Sequence, residues 1–240
     1  MKNRFLLLIA LAASVVSLSS CEKETEGKTR ITYYPTIELD GSSTVYVNKG
    51  DNYVEPGYVS FLNGKDVTSE VTVLSNVDVT KSGVYKINYI TVQNEDGFDN
   101  AASRKVVVLD FSDPIEGVYA VNSGVSFRNY NGTIASFKGD FEVLLISNGD
   151  GTYSFSDFFA GWYDQGAGYG SAYACVGNMT ISGSTVTVDP AATSVAGWGD
   201  SLNDFHDASY DSATGTLVYQ AVYNKGTMTF NVTLVKQPLE

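Results

Sequence analysis

Beyond the first twenty residues, no stretch of this chain repeats apolar residues with a helical period. Val, Ile, Thr and Tyr alternate with polar residues in short runs closed by Gly, Asn or Asp, which is the pattern of strands joined by tight turns. The chain is therefore expected to be all-β. It holds 2 cysteines, Cys21 and Cys175, so any fold that commits Cys21 elsewhere has no internal disulfide and must hold by packing.

The opening residues commit Cys21. Lys2 and Arg4 precede the apolar run Phe5 to Val16, and the small polar stretch Ser17-Leu18-Ser19-Ser20 leads directly to Cys21. A basic start, a short apolar core and small residues at the end make a secretory signal over residues 1–20. The run is too short for a membrane-spanning helix, which needs about 20 apolar residues, and nothing later is long or apolar enough to span. Leu18-Ser19-Ser20-Cys21 resembles the lipobox of bacterial lipoproteins. The resemblance implies cleavage before Cys21, diacylation of its thiol and attachment to a membrane. Two acyl chains give a stable anchor where one holds only marginally. Glu22 to Lys28 is charged and has no apolar period, so residues 21–29 are expected to be a tether. Its acidic character resembles the surface-export signal of Bacteroidetes lipoproteins.

Removing Lys2 and Arg4 with the signal leaves 13 basic residues against 27 acidic ones, a net charge of −14 where the full chain carries −12. Such a chain repels phosphate backbones, which argues against nucleic acid as a partner. Cys175, in Ala172-Tyr173-Ala174-Cys175-Val176, is expected in a buried strand as a small hydrophobe. With His206 the only histidine, a Cys/His zinc site cannot be assembled, and no cofactor is implied.

Two β domains are expected, over residues 30–111 and 114–237, with Phe111-Ser112-Asp113-Pro114 between them because proline cannot continue a ladder. In the first, strands are predicted at Ile31 to Ile37, Thr44 to Val47, Tyr58 to Leu62, Val71 to Leu74, Val84 to Thr91 and Arg104 to Phe111. Ser82-Gly83-Val84-Tyr85-Lys86-Ile87 resembles the tyrosine corner of immunoglobulin-like sandwiches, with Ile87 where antibody domains place a cysteine. Tyr53 to Tyr58, Gly64 to Thr68, Gly83-Val84-Tyr85 and the stretch from Asp96-Gly97 to Val108 resemble a bacterial surface immunoglobulin-like family. That resemblance implies a spacer or adhesive module without enzyme activity.

In the second domain, strands are predicted at Ile115 to Tyr119, Asp140 to Ile146, Thr152 to Ser156, Tyr173 to Ile181, Thr185 to Asp189, Thr216 to Tyr223 and Thr227 to Val235. Gly149-Asp150-Gly151, Ser182-Gly183 and Asn224-Lys225-Gly226 are hairpin joints, so successive strands are antiparallel neighbours. The meander closes into either a barrel or a sandwich. Gly117 and Tyr119 with the meander behind them resemble lipocalin-like barrels. The whole chain resembles Bacteroidetes surface lipoproteins that pair an immunoglobulin-like domain with such a C-terminal domain, some of them associated with glycan uptake.

Two Gly-rich segments stand out. Phe155 to Tyr173 carries Trp162, Tyr163, Asp164 and Tyr169, and Ala196 to Asp207 carries Trp198 and Asp200. Aromatic faces beside carboxylates suit a pyranose, which has an apolar C–H face and a polar rim. These six residues are the candidate glycan site. The same aromatics more often plug the end of a barrel or bury against a neighbouring domain, since aromatics supply most core area in β proteins. Asp157, Asp164, Asp200, Asp204 and Asp207 could supply a glycosidase pair, but acids at this density arise in turns, and catalysis is not expected. Asn94 to Asn100 and Asn148 to Gly151 carry calcium-type oxygen donors without EF-hand spacing and read as turns. The expected function is an accessory lipoprotein binding a glycan; the alternative is a structural subunit of an envelope complex.

Overall fold

A computed structural model describes residues 30–239. The signal segment 1–20 and the tether 21–29 with Cys21 lie outside the described residues.

The N-terminal domain is a seven-stranded sandwich. β1 (Thr36–Leu39), β3 (Tyr58–Leu62) and β4 (Lys65–Asp66) form one sheet; β2 (Thr44–Asn48), β7 (Ala101–Leu109), β6 (Gly83–Ile90) and β5 (Thr72–Ser75) form the other in that order. β2 runs parallel to β7 and the remaining pairs are antiparallel. The period of two places Ile87, Tyr89, Val106 and Val108 in the core, against Ile37, Leu39 and Tyr58 of the facing sheet. The Tyr85 hydroxyl donates to the Lys81 carbonyl at 2.9 Å, closing the expected corner. Ile87 is buried at the cysteine position, so no disulfide joins the sheets.

The first strand begins later than its composition suggests. Residues 31–35 are not in the ladder, because Pro35 has no N–H to give. Side chains of a neighbouring turn hold them instead: Asn94 Nδ2 donates to the Tyr33 carbonyl at 2.8 Å and Asn100 Nδ2 to that of Pro35 at 3.3 Å.

The C-terminal domain is a closed barrel, not a sandwich. β8 (Gly117–Val121), β11 (Glu142–Ser147), β12 (Thr152–Phe155), β13 (Gly177–Ser182), β14 (Thr185–Val188), β15 (Asp204–Asp211), β16 (Thr216–Tyr223) and β17 (Met228–Lys236) pair in order. Leu234 to Lys236 of β17 then pair back with Tyr119 to Val121 of β8. Every pair in the ring is antiparallel. A further hairpin, β9 (Phe127–Tyr130) and β10 (Thr133–Ser136), attaches to the first half of β17 through Met228 to Asn231.

Eight strands enclose a space that side chains just fill. Tyr119, Leu145, Phe155, Met179, Leu217, Tyr219, Phe230 and Leu234 fill it, all essentially inaccessible to solvent. The barrel is thus a solid core, which places any ligand at its rim or outer wall.

Three local expectations are corrected. Asp204 to Asp207 form the start of β15, not a loop. An extra residue between His206 and Ser209 makes a bulge, so Phe205 and Tyr210 both pack inward at an odd spacing that hides the period. Tyr173 to Val176 are not strand: Ser171–Tyr173 is a single 3-10 turn and β13 starts at Gly177. Cys175 is buried there, but its N–H and carbonyl serve the preceding loop rather than a ladder.

The domains share a small apolar joint. The run Val106-Val107-Val108-Leu109 is buried on both faces of β7. Val107 and Leu109 turn away from the sandwich core to meet Val118, Leu144 and Ile146 of the barrel. Glu116 is buried beside them and accepts from Ser82 Oγ at 3.0 Å. Burial pushes its carboxyl above the usual range.

Candidate functional site

Beyond β12 the chain folds back over one end of the barrel. Phe158, Phe159 and Ala160 are driven into the interior, where Phe158 meets Phe155 at 4.8 Å and Phe159 meets Phe230 at 4.7 Å. Asp157 makes this re-entry feasible. Its carboxylate is buried and accepts from the backbone N–H groups of Phe159, Gly161 and Cys175 at 2.8–2.9 Å, satisfying donors that no strand partner reaches. Desolvation outweighs those three donors and pushes its pKa up to about 7.

Gly161 then reverses the chain at φ 79°, where a Cβ would stand 2.5 Å from Phe141. Only glycine fits that approach. One π-helical turn follows, Trp162–Gly166, and it sends Trp162 and Tyr163 to different places.

Trp162 is half-buried. Its ring meets the edge of Phe137 at 4.9 Å and lies beneath the Arg128 guanidinium at 4.7 Å. Tyr163 turns instead toward the second segment. It meets Trp198 edge-on at 4.8 Å and stacks near Tyr169 at 6.0 Å. Tyr173 closes the group, 5.0 Å from Trp198 and 5.4 Å from Tyr169.

The two Gly-rich segments are bonded into one rim. Gly197 N–H donates to the Ala172 carbonyl at 2.6 Å, and Val176 and Ser194 exchange two backbone bonds. A Cβ at Gly197 would fall 2.6 Å from the Tyr173 ring, so glycine there is what lets Tyr173 lie against Trp198. Of the rim aromatics, Tyr169 is 56% exposed and Trp198 41% exposed; Tyr163 and Tyr173 support them from below.

Asp200 is exposed at the rim and accepts the Tyr223 hydroxyl. The Asp164 side chain is half-buried, with no hydrogen-bond partner among the described residues. Tyr163, Tyr169, Trp198 and Asp200 are thus brought together, while Trp162 faces the hairpin β9–β10. Three residues of the site did not stand out in the sequence. Tyr173 and Tyr223 lie in strand-like contexts, and Arg128 sits in a run, Phe127-Arg128-Asn129-Tyr130, too short to show a period.

The other acids are engaged elsewhere. Asp204 and Asp207 flank His206 on β15, at 4.0 and 3.1 Å. Asn94 Oδ1 accepts from the N–H groups of Asp96 and Phe98, and Asp150 Oδ1 accepts from Thr152, so both calcium-like segments spend these oxygens on turns. Burial pushes the Cys175 thiol up to about 12, which leaves it inert at neutral pH.

Comparison with known proteins covers both domains. A model for the immunoglobulin-like domain of bacterial surface proteins matches residues 37–108, and a family model of a C-terminal domain matches residues 109–236. Among solved structures, the lipoprotein BT2262 from Bacteroides thetaiotaomicron is 36% identical with a TM-score of 0.74. The match covers 85% of this chain and 100% of that one. No curated protein matches the chain.

Proposed function

The chain belongs to the bacterial surface lipoprotein family that contains BT2262, and we propose that it is an accessory glycan-binding lipoprotein anchored through Cys21. The immunoglobulin-like domain acts as the spacer that lifts the barrel from the outer membrane. The barrel's plugged end is the binding face.

The observation that carries this reading is the exposure of Tyr169 and Trp198 over Tyr163 and Tyr173, with the carboxylate of Asp200 beside them. Large aromatic faces left in water, on a barrel whose interior is already full, cost hydrophobic free energy that a sugar's C–H face recovers. The acid beside them accepts hydrogen bonds from the hydroxyls at the polar edge of such a ring. Of the acids near the rim, Asp157 is spent on backbone donors and Asp200 is already bonded to Tyr223.

A glycan array probed with the full chain in detergent tests the proposal. Binding to at least one glycan class, lost in Trp198→Ala, is the expected result; an array with no binding overturns it. Protease treatment of whole cells tests the location, with cleavage of the barrel expected if it faces outward.

The hairpin β9–β10 favours a second reading, in which the protein is a structural subunit of an envelope complex. Val125, Tyr130 and Ile134 are exposed there, and β10 is an edge strand with one neighbour, a surface that pairs readily with another chain. Crosslinking from a residue in β10 in envelope membranes would capture that partner.

A further inference from the structure

Three arginines lie among the described residues, at 30, 104 and 128. Arg30 is paired with Glu95 and Asp96. Arg104 is wholly buried and donates to Glu55 and to the carbonyls of Asp40, Ser42 and Gly57. Arg128 differs from both: among the described residues its side chain has no ion pair, and its polar neighbour is the Tyr163 hydroxyl, although acids outnumber bases 27 to 15 in the chain.

Its surroundings hold it in place without neutralising it. The guanidinium lies 4.7 Å from the Trp162 ring centroid and 5.9 Å from that of Tyr130. Its Nε is buried without a partner. The Tyr163 hydroxyl is close enough for Arg128 to counter the rise in its pKa that burial causes, so the cation reaches toward the aromatic rim. Lys138, with no ion pair among the described residues, lines a shallow apolar pocket of about 100 Å³ beside Trp162. An arginine stacked on aromatic rings presents its remaining donors as a rigid fork, which matches an oxyanion bidentately. A net negative protein does not steer anions from a distance, so recognition of one here rests on this contact.

Resting on the glycan reading, we propose that Arg128, held on Trp162, is a subsite for the anionic group of an acidic glycan, a carboxylate or a sulfate. The neighbouring sugar then lies over Tyr169 and Trp198, and Lys138 adds a second positive charge at the Trp162 edge.

The test measures binding of the full chain in detergent to four immobilised polysaccharides. Polygalacturonate carries carboxylate alone, dextran sulfate carries sulfate alone, heparin carries both, and dextran carries neither. The wild type is expected to bind at least one charged polymer tenfold or more tighter than dextran, and the arm that binds identifies the anion. Arg128→Gln is expected to lose that preference and Arg128→Lys to retain part of it. Equal binding of charged and neutral polymers by the wild type overturns the proposal but leaves the glycan reading standing. Charge preference that survives in Arg128→Gln also overturns it. Absence of binding to every glycan overturns both. Should Arg128→Gln unfold, the wild-type comparison of charged with neutral polymers still decides the matter.

Discussion

The hydroxyl of Tyr223 donates to the Asp200 carboxylate, with its two oxygens at 2.6 and 2.7 Å. Tyr223 belongs to β16 and is almost wholly buried, whereas Asp200 sits in the loop that presents Trp198. The bond therefore ties the rim to the barrel wall. Tyr223→Phe keeps the ring against Phe159 and Trp198 and removes only the donor. A loss of about 1 kcal/mol in stability is expected, together with greater quenching of Trp198 fluorescence by an aqueous quencher. Unchanged quenching would mean that the loop is held by its aromatic contacts alone.

Asp157 predicts a pH dependence. Its carboxyl titrates at about 7 in the folded chain and near 3.9 when unfolded, so folding takes up a proton between those values. The stability it contributes is fully present below about pH 4 and is lost as pH rises through 7, with a limiting slope of about 1.4 kcal/mol per pH unit. Asp157→Asn has no such proton to gain. Melting temperatures of the two proteins from pH 4 to 8 should therefore give a difference that falls with pH and levels above 7; a flat difference would show that the three backbone donors keep the group ionised throughout.

Much of this architecture is legible in the sequence. Alternation in Val84 to Ile90 and the hairpin joints at Ser182-Gly183 and Asn224-Lys225-Gly226 specify local pairing, because a period of two and a positive φ are properties of a few consecutive residues. Closure is different. It depends on Leu234 to Lys236 reaching Tyr119 to Val121, a pairing that no local pattern announces, which is why barrel and sandwich remain open from the sequence. The bulge in β15 and the proline before β1 mislead for the opposite reason, each breaking a pattern where the chain does the less regular thing. At the site, Trp162, Tyr163, Tyr169 and Trp198 are legible as aromatics in glycine-rich segments. Arg128 is not, because its significance lies in the partners it lacks.

The domain joint sets how the chain unfolds. Leu109 is wholly buried between Val107, Val118 and the edge of β11, and truncating such a side chain costs about 2–5 kcal/mol. Leu109→Ala is expected to remove part of the coupling as well as stability. Calorimetry should show one transition in the native chain and two in the variant. A single transition in both would mean that the polar contacts, Ser82 with Glu116 and Lys236 with the Asp113 carbonyl, suffice to couple the domains.

The two tryptophans should separate stability from binding. Trp162 packs on Phe137 and Phe230 and carries Arg128 on its face, so Trp162→Ala opens a cavity and releases a cation. A loss of about 3 kcal/mol is expected, with any glycan binding falling alongside. Trp198 is exposed and rests edge-on against Tyr163 and Tyr173, so Trp198→Ala should cost about 1 kcal/mol and still abolish binding to the rim. Melting temperature and glycan affinity measured on both variants decide between the roles. If Trp198→Ala binds glycan as the native chain does, the exposed aromatics serve a protein contact; if it melts as far below the native chain as Trp162→Ala, they are part of the plug.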